Sequence, residues 1–96
     1  MSESMDQLAE SEVTICNKLG MHARAATRFV TAASKFDSEV RVSRDDREVN
    51  GKSIMGLMML AASKGSTIQI QARGEDAEAA VKRLKQLVEN RFDESE

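Results

Sequence analysis

The spacing of apolar residues along this chain changes from a period of two to a period near 3.6 and back again, and that change narrows the possible folds more than any other feature. Val13-Thr14-Ile15 alternates with β-branched residues and stops at the polar Asn17-Lys18-Leu19-Gly20, the pattern of a half-buried strand and a loop. From Ala23 to Ser34, Ala26, Phe29, Val30 and Ala33 fall at i, i+3, i+4 and i+7, one face of a helix. Val40 and Val42 alternate with Glu39, Arg41 and Ser43, and Glu48-Val49-Asn50 follows the polar Arg44-Asp45-Asp46-Arg47, which predicts a hairpin turning near Asp45-Asp46.

Ile54-Met55-Gly56-Leu57-Met58-Met59-Leu60 has no period of two, so Ser53 reads as the N-cap of a short helix, with Lys64-Gly65 as its stop. Thr67 to Ala72 alternates again, with Ile68, Ile70 and Ala72 on one face. Beyond Gly74, the acidic Glu75-Asp76 suits a helix start, and Ala77, Ala80, Val81, Leu84, Leu87 and Val88 mark a buried stripe ending near Arg91. The order β-α-β-β-α-β-α predicts an α+β, two-layer open-faced sandwich: a four-stranded antiparallel sheet covered on one face by three helices. Residues 11–92 form that domain, residues 1–10 a flexible acidic tail, and residues 93–96 a frayed acidic C-terminus.

With 96 residues the chain has room for one domain and one site. Aromatics are only 3% of it and the formal net charge is -2, with both signs interspersed, so neither base-stacking surfaces nor a basic footprint is available and nucleic acid is not an expected partner. One cysteine, Cys16, and one histidine exclude an internal disulfide and a Cys-based zinc site, so neither metal nor cofactor is expected. Cys16 itself reads more simply as a small apolar strand residue than as a redox group. Met1 to Glu10 has no apolar run and no later segment approaches a membrane-spanning length; no membrane insertion and a cytoplasmic location are the expectations.

The chemistry concentrates at Gly20-Met21-His22-Ala23-Arg24. A helix start offers free backbone N–H groups and the positive end of the dipole, and here it carries a nucleophilic imidazole with a guanidinium two residues on, which together describe an anion site. A neutral imidazole can attack phosphorus, and backbone amides and Arg24 can hold the phosphoryl oxygens without a metal. The same residues are also compatible with an ordinary surface histidine closing a loop.

Gly20-Met21-His22-Ala23-Arg24-Ala25-Ala26 resembles the Gly-Leu-His-Ala-Arg-Pro-Ala active-centre motif of the HPr family, the histidine-containing phosphocarriers of the phosphoenolpyruvate-dependent phosphotransferase system. Asn50-Gly51-Lys52-Ser53-Ile54-Met55-Gly56-Leu57-Met58 is similar to that family's regulatory-serine segment, and Ala72-Arg73-Gly74-Glu75-Asp76 to its following strand-to-helix turn. The resemblance runs from Glu12 to about Phe92 without an apparent insertion. It implies phosphorylation of His22 on Nδ1 by enzyme I, transfer to a IIA-type acceptor protein, Arg24 as phosphoryl contact, and a protein that is an intermediate in transfer and not a turnover enzyme. A carrier must release what it accepts, so His22 should be solvent-accessible with few contacts. Ala25 stands where the family has proline, leaving the first turn less preorganised, while Met21 for leucine conserves volume. The missing proline and the Met-rich segment look closer to the nitrogen-related branch, NPr, than to a sugar-transport HPr.

Other residues carry two readings each. Ser53 is a helix cap on local grounds and, by the resemblance, a regulatory phosphorylation site for an HPr kinase/phosphorylase. Met55, Leu57, Met58 and Met59 crowd one short helix beyond the needs of a single buried face, so part of that surface, with Met21 and Lys52, is expected to meet partner proteins. Arg28 and Lys52 either add positive charge around the site or are solvated side chains. Against the phosphoryl shuttle stand two other functions: a phosphorylation-switched regulatory binding protein using the surface around His22 and Ser53, and a ligand-binding module with His22 unmodified.

Overall fold

The computed structural model describes residues 7–96, and their elements follow the expected order. The strands are β1 (Leu8–Thr14), β2 (Glu39–Arg44), β3 (Arg47–Asn50) and β4 (Thr67–Arg73), and the helices α1 (Ala23–Ala33), α2 (Ile54–Met59) and α3 (Ala77–Glu89). A short turn, Arg91–Asp93, follows α3. All pairing is antiparallel in the sheet order β1-β4-β2-β3. β4 therefore separates β1 from β2, and β2 separates β3 from β4, so the chain interleaves two split β-α-β units.

Register puts the apolar alternation of every strand on one face. Val13 lies opposite Ile68 and Ala9 opposite Ala72; Val40 lies opposite Ala72 and Val42 opposite Ile70; Val49 closes the row beside Val42. On the other face Glu10, Glu12, Arg41 and Gln71 meet solvent or one another, as a one-sided antiparallel sheet requires. The helices bury their stripes on the apolar face: Ala25, Ala26, Phe29, Ala32 and Ala33 from α1, Leu57 from α2, and Ala77, Ala80, Val81, Leu84, Leu87 and Val88 from α3.

Local chemistry explains the junctions. The β2-β3 hairpin turns at Asp45-Asp46 between the paired Arg44 and Arg47, with Asp45 in the left-handed region at φ 56°. Ser53 caps α2, its Oγ accepting the Gly56 N–H at 3.0 Å. Asp76 precedes α3 but ties it to the α1-β2 loop instead, accepting N–H bonds from Asp37 at 2.9 Å and Ser38 at 3.0 Å and the Ser38 hydroxyl.

Four expectations change. Leu8, Ala9 and Glu10 belong to β1, paired with Arg73, Ala72 and Gln71, and are not part of the flexible tail expected over residues 1–10; residues 1–6 lie outside the described residues. α2 ends at Met59, with Ala61 at φ 51°, before the expected stop at Lys64-Gly65. Cys16 falls just past β1, half-buried, its thiol directed at the carbonyls of Val88 and Glu89. The C-terminus is not frayed: Phe92 is fully buried and the residues after it fold back onto the start of α1.

The contrast within α2 is testable. Leu57 is fully buried and Met55 is 74% exposed, so Leu57→Ala is expected to cost about 2–5 kcal/mol in urea unfolding and Met55→Ala less than about 0.5 kcal/mol. Asp76 gives a pH test. The Ser38 hydroxyl bond outweighs its desolvation and, with the Asp37 and Ser38 amides, holds its carboxyl below the ordinary value of 3.8. A depressed folded pKa stabilises the protein above the unfolded value and the contribution is lost as pH falls through the folded one. Asp76→Asn should therefore lower stability by a constant amount above about pH 5, and that gap should shrink progressively in more acidic unfolding series.

Candidate functional site

The loop before α1 is shaped by a buried asparagine and a glycine. Asn17, fully buried, donates from Nδ2 to the Gly20 carbonyl at 2.8 Å. Gly20 takes φ +68°, and a Cβ there would stand 2.5 Å from the Ala62 carbonyl oxygen and 2.9 Å from the Ser63 Cα, so both backbone sign and space require glycine. The Met21 N–H then bonds the Ala62 carbonyl at 2.9 Å, and the Met21 side chain enters the core at 5% exposure. These contacts deliver His22 to the end of α1 in a defined orientation.

His22 is the N-cap of α1, extended at φ -80°, ψ -179°. Serine, threonine, aspartate or asparagine would be the usual cap; here the imidazole does that work, Nδ1 accepting the Arg24 N–H at 3.3 Å. The Nδ1 lone pair thus lies where the amides of the first turn point and where the helix dipole is positive. A nitrogen that accepts a hydrogen bond does not carry the ring proton, so the proton sits on Nε2. Nε2 lies 2.8 Å from Oε2 of Glu94. The other Glu94 oxygen accepts from Asn17 Nδ2 at 3.1 Å. Burial pushes the Glu94 carboxyl up, but the hydrogen bonds from His22 and Asn17, with the charge of Arg28, hold it below its ordinary value of 4.5.

The C-terminal segment closes one side of this arrangement. Arg91, Phe92 and Asp93 all have left-handed backbone, at φ 58°, 53° and 63°, a conformation costing non-glycine residues about 1–2 kcal/mol each. Burial of the Phe92 ring offsets that cost, as does the Arg28 guanidinium, which donates to the Phe92 carbonyl at 2.7 Å. The Lys18 N–H bonds the Glu96 carbonyl at 2.6 Å. Lys18, Arg24, Arg28, Glu94 and Glu96 line the shallow groove that results.

The expected site residues separate. His22 and Arg24 come together at the start of α1, with the Arg24 side chain exposed and unpaired among the described residues. Arg28 joins them through Phe92. Lys52 does not: its Nζ donates to the Phe36 carbonyl at 2.7 Å, past the opposite end of α1. Met21, expected on the partner-facing surface, is buried. Met55, Met58 and Met59 are exposed at 74%, 44% and 63%, beside Ile54 at 39%. His22 has more contacts than a freely accessible carrier would need, its side chain being 26% exposed with both ring nitrogens engaged. The helix forms without the missing proline, and Ala25 is fully buried in its first turn. Asn17 and Glu94 are the residues that sequence reasoning missed. No local pattern marks either, because Glu94 is 72 positions from the histidine it bonds.

Comparison with known proteins agrees with this geometry. Residues 9–90 match the family model described as the PTS HPr component phosphorylation site. The phosphocarrier protein HPr of Xylella fastidiosa strain Temecula1 is 51% identical over 87 residues, covering 91% of this chain and 98% of that protein. The phosphocarrier protein NPr of Shewanella violacea is 44% identical, covering 90% of this chain and 94% of its own. Among solved structures, HPr from Thermoanaerobacter tengcongensis superposes with a TM-score of 0.87 at 45% identity over 92% of this chain and 99% of that one. HPr from Bacillus anthracis gives 0.82 at 38% identity over 86% and 99%. Fold, motif and extent of match agree, and the chain belongs to the HPr family of phosphocarrier proteins of the phosphotransferase system.

Proposed function

We propose that His22 is the phosphoryl acceptor, taking the group on Nδ1 from enzyme I, which draws it from phosphoenolpyruvate, and passing it to a IIA-type protein. The observation that carries this reading is the position of Nδ1: an unprotonated nitrogen at the positive start of α1, bonded only to a first-turn amide. An arriving phosphoryl group would exchange that single contact for its own hydrogen bonds to the first-turn amides. Arg24, exposed beside it, is suited to the charge on the phosphoryl oxygens. The role in transfer is that of an intermediate, so the group must leave as readily as it arrives, and an open, solvent-facing Arg24 fits that need better than a closed cage.

The exposed side chains of α2, which packs against α1, support docking of more than one partner on that face. Met55 and Met58 are the contacts of choice, since flexible thioethers adapt to different surfaces. That apolar surface also favours a second reading, in which the phosphorylation state of His22 or Ser53 switches binding to a regulatory target. Ser53 is half-exposed and caps α2 in the unmodified protein; a phosphate there would add a charge of about -2 to the docking surface.

Incubation with enzyme I and phosphoenolpyruvate, followed by mapping of the label, tests the first reading. The wild type should carry an acid-labile phosphoryl group on His22, and His22→Ala should carry none. Arg24→Ala should slow acceptance by about tenfold, less than loss of a buried oxyanion donor, because Arg24 is exposed. An acid-stable label that survives in His22→Ala would overturn the assignment.

A further inference from the structure

Glu94 is placed more firmly than an ordinary surface carboxylate. Its side chain is 14% exposed, and both oxygens are bonded, one 2.8 Å from His22 Nε2 and one 3.1 Å from Asn17 Nδ2. Exposed ion pairs hold two mobile side chains and contribute little. Here the partner, Asn17, is fully buried and anchored on the Gly20 carbonyl. The chain carrying Glu94 is itself pinned by the Phe92 ring in the core, by Arg28 on the Phe92 carbonyl and by the Lys18 N–H on the Glu96 carbonyl. The other charged groups lining the groove beside Glu94 are Arg24 and Arg28 of α1, Lys18 of the preceding loop, and Asp93 and Glu96 of the C-terminal segment.

A neutral imidazole has one proton, and only the form with that proton on Nε2 leaves the Nδ1 lone pair free to attack. When the Nδ1–P bond forms, the donor's bond to phosphorus breaks and its electron pair leaves with the donor. The Nε2 proton stays, and the ring becomes a cation. At onward transfer the Nδ1–P electron pair returns to the ring, which becomes neutral again. Resting on His22 as the acceptor, we propose that Glu94 is a positioning residue: its carboxylate accepts the Nε2–H, selects the nucleophilic ring form, and offsets the positive charge of the phosphorylated ring. A carboxylate behind a working histidine does the same where the imidazole passes a proton instead of a phosphoryl group.

The experiment uses the full chain with nitrogen-15-labelled histidine, comparing wild type with Glu94→Gln and Glu94→Ala. Unchanged backbone amide spectra away from residues 90–96 establish that each variant is folded. In the wild type, the ring-nitrogen spectrum should show protonation on Nε2. Glu94→Ala should mix the two neutral ring forms, slow acceptance from enzyme I by roughly tenfold with KM little changed, and hasten loss of the phosphoryl group by hydrolysis. Glu94→Gln keeps an acceptor but no charge, so it should keep the ring form and still slow acceptance several-fold. A Glu94→Ala protein with the wild-type ring spectrum and wild-type rates would overturn the proposal, as would a slowdown seen wholly in KM, which would make Glu94 a docking residue. A wild type refractory to enzyme I would overturn the phosphocarrier reading itself, and the ring spectra of the variants would separate that failure from loss of the Glu94 contact.

Discussion

Burial of one face of a single antiparallel sheet is the constraint on which the rest of this structure depends. β4 runs between β1 and β2, and its Ile68, Ile70 and Ala72 are the floor against which the neighbouring strands align their own apolar residues. With no tryptophan, tyrosine or proline in the chain, that floor is covered by small and aliphatic side chains of α1 and α3, with Phe29 and Phe92 as the large exceptions. Small residues let the helices pack closely over the sheet. The start of α1 is held at the rim of the layer by the Met21 N–H on the Ala62 carbonyl, and the proposed phosphoryl acceptor, His22, caps it there.

Around His22 the chain departs from the choices that would favour stability alone. A histidine caps α1 in place of a better cap. Gly20 holds a left-handed turn against Ala62. Asn17 is buried with its Oδ1 unpaired among the described residues, although its Nδ2 serves two acceptors. Three consecutive residues, Arg91 to Asp93, take left-handed backbone. Such departures from local preference concentrate where a fold is bent to a task. Here they share one result, a ring with one nitrogen open toward the first-turn amides and the other backed by a carboxylate.

The surface of α2 shows the same division in simpler form. Leu57 alone is buried on that short helix while its methionines face outward. An exposed apolar patch is tolerated where it has an occupant part of the time. Ser53 at the head of the helix is tied to its own backbone through the Gly56 amide, so a change of charge at Ser53 would fall beside the exposed face of α2 and leave the core intact.

Much of this was legible in the residues. Alternation at Val40-Val42 and Ile68-Ile70-Ala72, the helical spacing of Ala26, Phe29 and Ala33, and the stripe from Ala77 to Val88 record which side of each element faces the core, because side-chain direction follows directly from a period of two or 3.6. His22 at a helix start with Arg24 beside it is local information of the same kind. β1 began earlier than its apolar pattern because Ala9 and Ser11 face the core without looking apolar enough to announce it, and pairing with β4 extends the strand where propensity does not. Met21 and Lys52 lie next to the candidate residues His22 and Ser53 in sequence, yet their side chains point into the core and at the Phe36 carbonyl. Only the tertiary structure could bring Glu94 onto His22. That contact depends on a left-handed turn at Arg91–Asp93, on Phe92 finding the core and on Arg28 holding its carbonyl, and no periodicity encodes the direction in which a chain turns after its last helix.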